Sequence, residues 1–157
     1  MAITKDDWAD RLPPNGLGDD WTIIPSTYTS YQLIDYSEYL IVGFRKMVQR
    51  ISRLIGQTGN IGISSNDFGI TEMRHNYQLE FWYRSYSLPL IVSRNSGEFL
   101  IQVGEYYPSS TTVVHVTETL VADMQPFNGL TFLMPSSRET GNNFWFEIDR
   151  VSCREIL

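Results

Sequence analysis

The chain carries two histidines, His75 and His115, and one cysteine, Cys153. A structural zinc needs four ligands drawn from closely spaced Cys and His, and no such spacing occurs here. His75 reads as a loop-to-strand boundary residue and His115 as a strand residue. Gly56-Gln57-Thr58-Gly59-Asn60-Ile61-Gly62 has the glycines of a phosphate loop without its lysine-serine end, so it reads as a flexible loop. No serine sits in a Gly-x-Ser-x-Gly elbow. Asp6-Asp7 and Asp19-Asp20 are adjacent in loops, which suits solvation or a hard cation better than the separated carboxylates of acid/base catalysis. These residues predict a protein that is not an enzyme.

The chemistry that does have candidates is sugar recognition. Flat rings stack on the apolar faces of pyranoses while polar neighbours bond the hydroxyls. Trp82, Tyr106, Tyr107 and Trp145 are the candidates: the two tryptophans fall on strand faces opposite the apolar phase, and Tyr106-Tyr107 opens a loop. The alternative for each is packing or a subunit interface, because an arm or a second subunit can bury an outer-face aromatic. The loop position of Tyr106 and Tyr107 leaves them little core to join and favours an interface.

With 157 residues, one domain is expected, burying roughly 68–70% of its unfolded surface. A single cysteine precludes an internal disulfide, and the inward strand phase of Cys153 makes it a buried small hydrophobe. The net charge of −6 argues against nucleic-acid binding, which needs a concentrated basic surface. The opening residues lack a basic segment followed by an apolar run, so no secretory signal is expected; no window supports a membrane span. Arginine outnumbers lysine ten to two, a bias toward desolvated, bidentate contacts at a protein interface.

These groups must be positioned by strands. Tyr77, Leu79, Phe81 and Tyr83 alternate with Gln78, Glu80, Trp82 and Arg84, giving one core face. Phe144, Phe146 and Ile148 alternate with Trp145 and Glu147; Asp149-Arg150 breaks the phase as a bulge would, before Val151 and Cys153 resume it. Phe99, Ile101 and Val103 form another set, Ser93 to Gly97 reads as a turn, and Gly104 to Ser110 as a loop. Thr112 to Ala122 is a long β-rich run, followed by Leu130, Phe132 and Met134. Residues 39–55 are ambiguous. Phe44, Met47, Val48, Ile51, Leu54 and Ile55 share a helical face, with Arg45, Lys46, Arg50 and Arg53 opposite as a solvated face or, alternatively, a surface for an acidic partner, yet Tyr39 to Val42 is rich in β formers. The first 38 residues read as irregular.

The closing Ile148-Asp149-Arg150-Val151-Ser152-Cys153-Arg154-Glu155, together with Tyr77-Gln78-Leu79-Glu80-Phe81-Trp82-Tyr83-Arg84-Ser85 and the run from Thr111 through Phe132, resembles carbohydrate-binding-module-like jelly-roll domains of polysaccharide-degrading enzymes and of phage tail and virion proteins. The likeness covers roughly the last 80 residues. Arg150 stands where the family has Asn, and Gly56 to Gly69 has no counterpart. The resemblance implies an all-β, antiparallel two-sheet β-sandwich with an irregular N-terminal region and at most a short helix. It favours a strand within 39–55, and it divides the chain into an arm or edge strand over 1–38 and a sandwich over 39–157. It further implies a structural calcium joining Asp149 to oxygens of Asn15, Asp19 and Asp20; the alternative is that Asp149 caps the bulge through its own backbone. No other cofactor is expected. The functional expectation is a non-enzymatic, homo-oligomeric phage virion component, made in the host cytoplasm, with other virion subunits as partners and cell-surface glycan as an additional one. A free-standing carbohydrate-binding protein is the alternative.

Overall fold

The structure, a computed structural model, describes residues 2–4, 21–25, 27, 29–38, 41–66, 68–69, 71–97, 99–122, 125–139 and 143–156. Every regular element among these is a strand: β1 (Ala2–Thr4), β2 (Thr22–Ile24), β3 (Thr29–Asp35), β4 (Met47–Arg53), β5 (Ile61–Ser65), β6 (His75–Ser85), β7 (Leu90–Ser96), β8 (Phe99–Tyr106), β9 (Ser109–Ala122), β10 (Gly129–Met134) and β11 (Trp145–Ile156). They form two antiparallel sheets, a jelly-roll β-sandwich. The first sheet runs β3-β4-β11-β6-β9 and the second β2-β5-β10-β7-β8. On its far side from β6, β11 pairs with β4 through Trp145–Ile148 and with β1 through Ser152–Arg154.

The alternation read in the sequence decides which face each strand buries. Leu79, Phe81, Tyr83, Phe146, Ile148, Val151 and Cys153 point into the sandwich, against Ile61, Ile63, Leu90, Val92, Leu130 and Phe132 of the second sheet. Phe81, Phe132 and Phe146 are fully buried, each contributing about 1.5–3 kcal/mol of burial. The bulge falls where the phase break predicted: the β11–β6 register shifts between Asp149 and Ser152, and Arg150 takes a left-handed φ of 53°.

The stretch 47–53 is β4, the strand that the resemblance favours there; the helical pattern arises because both faces of the strand are covered, so apolar and polar side chains alike are buried. Other expectations need correction. Of the solvated face assigned to Arg45, Lys46, Arg50 and Arg53, Lys46 alone is exposed. Arg53 is 1% exposed, and Arg45 and Arg50 pair with buried carboxylates. The flexible loop Gly56–Gly62 gives way at Ile61 to β5, an interior strand of the second sheet. Ser93–Ser96 continues β7, and only Gly97 turns, with φ 61°. Tyr106 closes β8, leaving Tyr107-Pro108 as the whole link to β9. Within residues 1–38, expected as an irregular arm or an edge strand, β2 and β3 are outer strands of the two sheets, and β3 pairs with β4 over seven residues.

Candidate functional site

The outward face of the first sheet carries a network of buried ion pairs. Glu147 lies between Phe146 and Ile148 in sequence, so it projects away from the core, yet it is 0% exposed. Register explains this. Glu147 stands opposite Arg84 on β6 and Arg50 on β4. Arg84 Nε donates to its Oε1 at 2.8 Å, Arg50 to its Oε2 at 3.1 Å, and the Tyr36 hydroxyl to Oε2 at 2.5 Å. Burial, and then the hydrogen bond to Glu147, raise the Tyr36 hydroxyl above its ordinary pKa of 10.0. Tyr36 and Phe44, stacked at 6.5 Å, belong to the segment between β3 and β4, and Arg84 lies against both rings at 5.7 and 5.8 Å. This segment is thus strapped over the sheet.

Asp149 extends the same strap. Its carboxylate accepts from the Arg45 backbone N–H at 2.9 Å and from the Arg45 guanidinium at 2.7 and 3.0 Å. Arg150 Nε lies 3.3 Å away at an angle that makes no hydrogen bond. Arg45 thus partners the Asp149 oxygens assigned by resemblance to calcium, while Asn15, Asp19 and Asp20 lie outside the described residues. Among the described residues no group of three or more His, Cys, Asp and Glu could hold a metal ion.

Beyond the strap the face opens. Trp82 stacks on His115 of β9 with centroids 4.0 Å apart and planes within 4°, and Arg150 of β11 sits 3.8 Å from the same ring. These partners come from the strands on either side of β6, so both faces of the indole are covered. His115 Nε2 is 3.0 Å from Glu80 Oε1. Beside this stack lies a cleft of about 490 Å³, walled by Val42 and Gly43 of the strap, by Thr111 and Thr112, and by Trp82 and His115. Its lining offers the hydroxyls of Thr111 and Thr112 and the imidazole of His115 as hydrogen-bonding groups beside the Trp82 indole. Farther along, Arg154 donates to Gln78 Oε1 at 2.6 and 3.0 Å in an exposed pair.

The four aromatics expected to bind sugar do not form one platform. Trp145 shares the outer face with Trp82, but Tyr86 stacks on it at 6.1 Å and Arg50 covers it at 4.4 Å. Tyr106, expected in a loop with little core to join, packs on Phe81 at 5.5 Å and Tyr83 at 6.0 Å and bonds Glu118. Tyr107 is 88% exposed, its ring beside Pro89, Glu105 and Pro108. The sequence reading missed Glu147, Arg84, Arg50 and Arg150. Their outward phase was visible, but which charges face each other across strands depends on register.

No family model matches the chain, and no curated protein matches it in sequence. Solved structures do match. The CBM22-1 xylan-binding domain of Paenibacillus barcinonensis Xyn10C superposes with a TM-score of 0.61 at 13% identity, covering 98% of this chain and 93% of that one. A point mutant of CBM29-2, a family 29 carbohydrate-binding module, gives 0.57 at 13%, covering 99% and 90%. The arabinose-bound MgGH51 α-L-arabinofuranosidase gives 0.68 at 12%; 96% of this chain matches 26% of that enzyme. At these identities the likeness is one of fold: the chain has the jelly roll of carbohydrate-binding modules.

Proposed function

We propose that the protein is a non-catalytic carbohydrate-binding module that holds glycan in the cleft on the outer face of its first sheet. The cleft carries this reading: it is open, walled by the indole of Trp82, and rimmed by the Thr111 and Thr112 side chains and the imidazole of His115. The two carboxylates nearest the middle of the face, Glu147 and Asp149, are sealed from solvent in ion pairs, which suits a scaffold better than acid/base chemistry. The fold adds support, since the xylan-binding CBM22-1 domain is built the same way.

The test is retention in affinity gels containing xylan, β-glucan, mannan or pectin. We expect retention by at least one, weakened about tenfold or more in Trp82→Ala and in Val42→Asp. Val42 is 93% exposed, so its replacement changes the rim without a folding cost. No retention by any glycan, or undiminished retention by both variants, overturns the reading.

A second reading, a structural subunit of a phage virion, draws on β8. This outer strand pairs with β7 on one edge and with no described strand on the other, and Phe99 and Leu100 are 69% and 52% exposed. Such an edge is a template for pairing with another chain. Sedimentation of the chain and of a Phe99→Lys variant tests it: a wild-type oligomer dissociated by the substitution supports assembly, and a monomer throughout opposes it.

A further inference from the structure

We infer that the cleft beside Trp82 selects anionic glycans, with the Arg150 guanidinium as the group that meets the sugar's carboxylate or sulfate. This rests on the glycan-binding reading above and adds the ligand's charge to it.

Four observations carry it. First, the wall of the cleft is closed to neutral stacking. A pyranose needs a free ring face, and both faces of Trp82 are occupied, by His115 and by Arg150. No arginine is among the described residues that line the cleft; the cation stands at its edge, where Arg150 donates to the carbonyl of the lining residue Gly43. Second, Arg150 is held at φ 53°, a region where Asn and Asp are enriched and longer side chains are uncommon. The conformation costs free energy that its surroundings must offset, and such outliers cluster at functional positions. Here the bulge throws a long guanidinium across Trp82 toward Gly43, at the cleft's edge. Third, that guanidinium is underused. Among the described residues its one hydrogen bond goes to the Gly43 carbonyl; its Nε is buried 3.3 Å from Asp149 without a hydrogen bond, so the donors left for a ligand are those of its terminal nitrogens, and its side chain is 33% exposed. The one carboxylate near it, Asp149, is already bonded by Arg45. Fourth, the face is positive in an acidic protein. Arg45, Arg50, Arg84, Arg150 and Arg154 stand on it against Glu80, Glu147 and Asp149, whereas the whole chain has a net charge of −6. Arg154 bonds only the neutral Gln78, and no carboxylate lines the cleft. A planar guanidinium with free donors is suited to bidentate capture of a carboxylate or sulfate.

The experiment measures binding of the full chain to four polymers at physiological ionic strength: polygalacturonate, its fully methyl-esterified neutral form, dextran sulfate and dextran. The variants are Arg150→Asn, which relieves the left-handed position while removing the cation, and Arg138→Gln, which removes an equal charge from the exposed 135–139 segment. We expect the wild type to bind at least one anionic polymer about tenfold more tightly than its neutral parent, the scale of one charge-assisted contact. Arg150→Asn should erase that preference by losing affinity for the anionic polymer, and Arg138→Gln should keep it. Preference for polygalacturonate identifies a uronic carboxylate, and preference for dextran sulfate a sulfate ester. Equal binding of charged and neutral polymers overturns the inference while leaving the glycan reading standing. Equal losses in Arg150→Asn and Arg138→Gln also overturn it, since diffuse charge would then explain the preference. Absence of binding here and in the affinity gels overturns both.

Discussion

Arg84 Nε and Glu147 Oε1 meet at 2.8 Å on the side of the sheet facing away from the apolar core, where the Glu147 side chain is sealed from solvent and that of Arg84 is 10% exposed. The reason is the strap. Tyr36 and Phe44 roof the pair, Arg50 closes it from β4, and Asp149 with Arg45 repeats the arrangement farther along. The sheet therefore has an apolar interior on one face and a polar interior under part of the other. That second interior fixes the strap, and the strap forms one wall of the cleft.

Glu147→Gln tests that relationship. Removing the charge leaves Arg50 and Arg84 without their carboxylate, and breaking a buried pair from one side costs about 3–5 kcal/mol. For a domain of this size that lowers the melting temperature by roughly 6–20 °C. Calorimetry reads the shift directly, and a variant melting with the wild type would mean that the arginines find other partners.

Alkaline stability should fall for an identifiable reason. Burial raises the Cys153 thiol from its ordinary 9.0 to about 12, and burial also raises the hydroxyls of Tyr36, Tyr83 and Tyr106. Between pH 9 and about 12 the unfolded chain has released the thiol proton while the folded chain keeps it. Stability therefore declines with rising pH in that window and is unaffected by this group below it. Denaturant melts of wild type and Cys153→Ala should converge in slope below the window, with the variant declining less steeply within it. The native thiol should also resist alkylation near pH 8 and react once the chain unfolds.

How much of this could be read from the residues depended on whether one face of a strand was polar. In β6 and the first half of β11 the outward residues are Gln78, Glu80, Trp82, Trp145 and Glu147, so alternation was clean and the bulge at Asp149-Arg150 stood out. In β4 the outward Val48 is fully buried and the inward Gln49 and Arg53 are buried too, which destroyed the two-residue period and let a helical one intrude. β5 hid behind Gly62 and two serines, which carry little strand signal. The aromatics of the candidate site were visible as residues, but their roles were not. Whether Trp82 offers an open ring depends on Arg150 and His115, and these reach it only through a register between strands far apart in sequence.

Gly129 shows how tightly the second sheet is built. A Cβ there would collide with the Ser65 carbonyl and press on Asn66 Cα at 2.8 Å, and both contacts are backbone. Gly129→Ala must then shift β10 away from β5, where Leu130–Met134 pairs with Ile61–Ser65. Overpacking of this kind costs typically about 1–3 kcal/mol, occasionally more. Amide exchange should speed up along β5 and β10 before it does in β6 or β11.

Arg53 offers the sharpest separation of charge from geometry. It is 1% exposed, lies 4.4 Å from the Phe144 ring, and donates to the Thr58 and Gly59 carbonyls at 3.2 Å and to the Glu139 carbonyl at 3.4 Å. One planar fork thus ties the segment after β4 to the segment before β11, which also meet through Ser137 N–H and the Thr58 carbonyl at 2.9 Å. Arg53→Lys keeps the charge but replaces the fork by a single ammonium, which cannot hold both segments while lying flat on Phe144. Hydrogen bonds involving a charged group contribute about 1.5–3 kcal/mol each, so the loss should be about 2–4 kcal/mol in denaturant melts. If geometry is what matters, the Ser137 amide should exchange faster in Arg53→Lys while the β6 amides exchange at the rate set by global stability. Wild-type protection at Ser137 would mean that charge alone holds the two segments together.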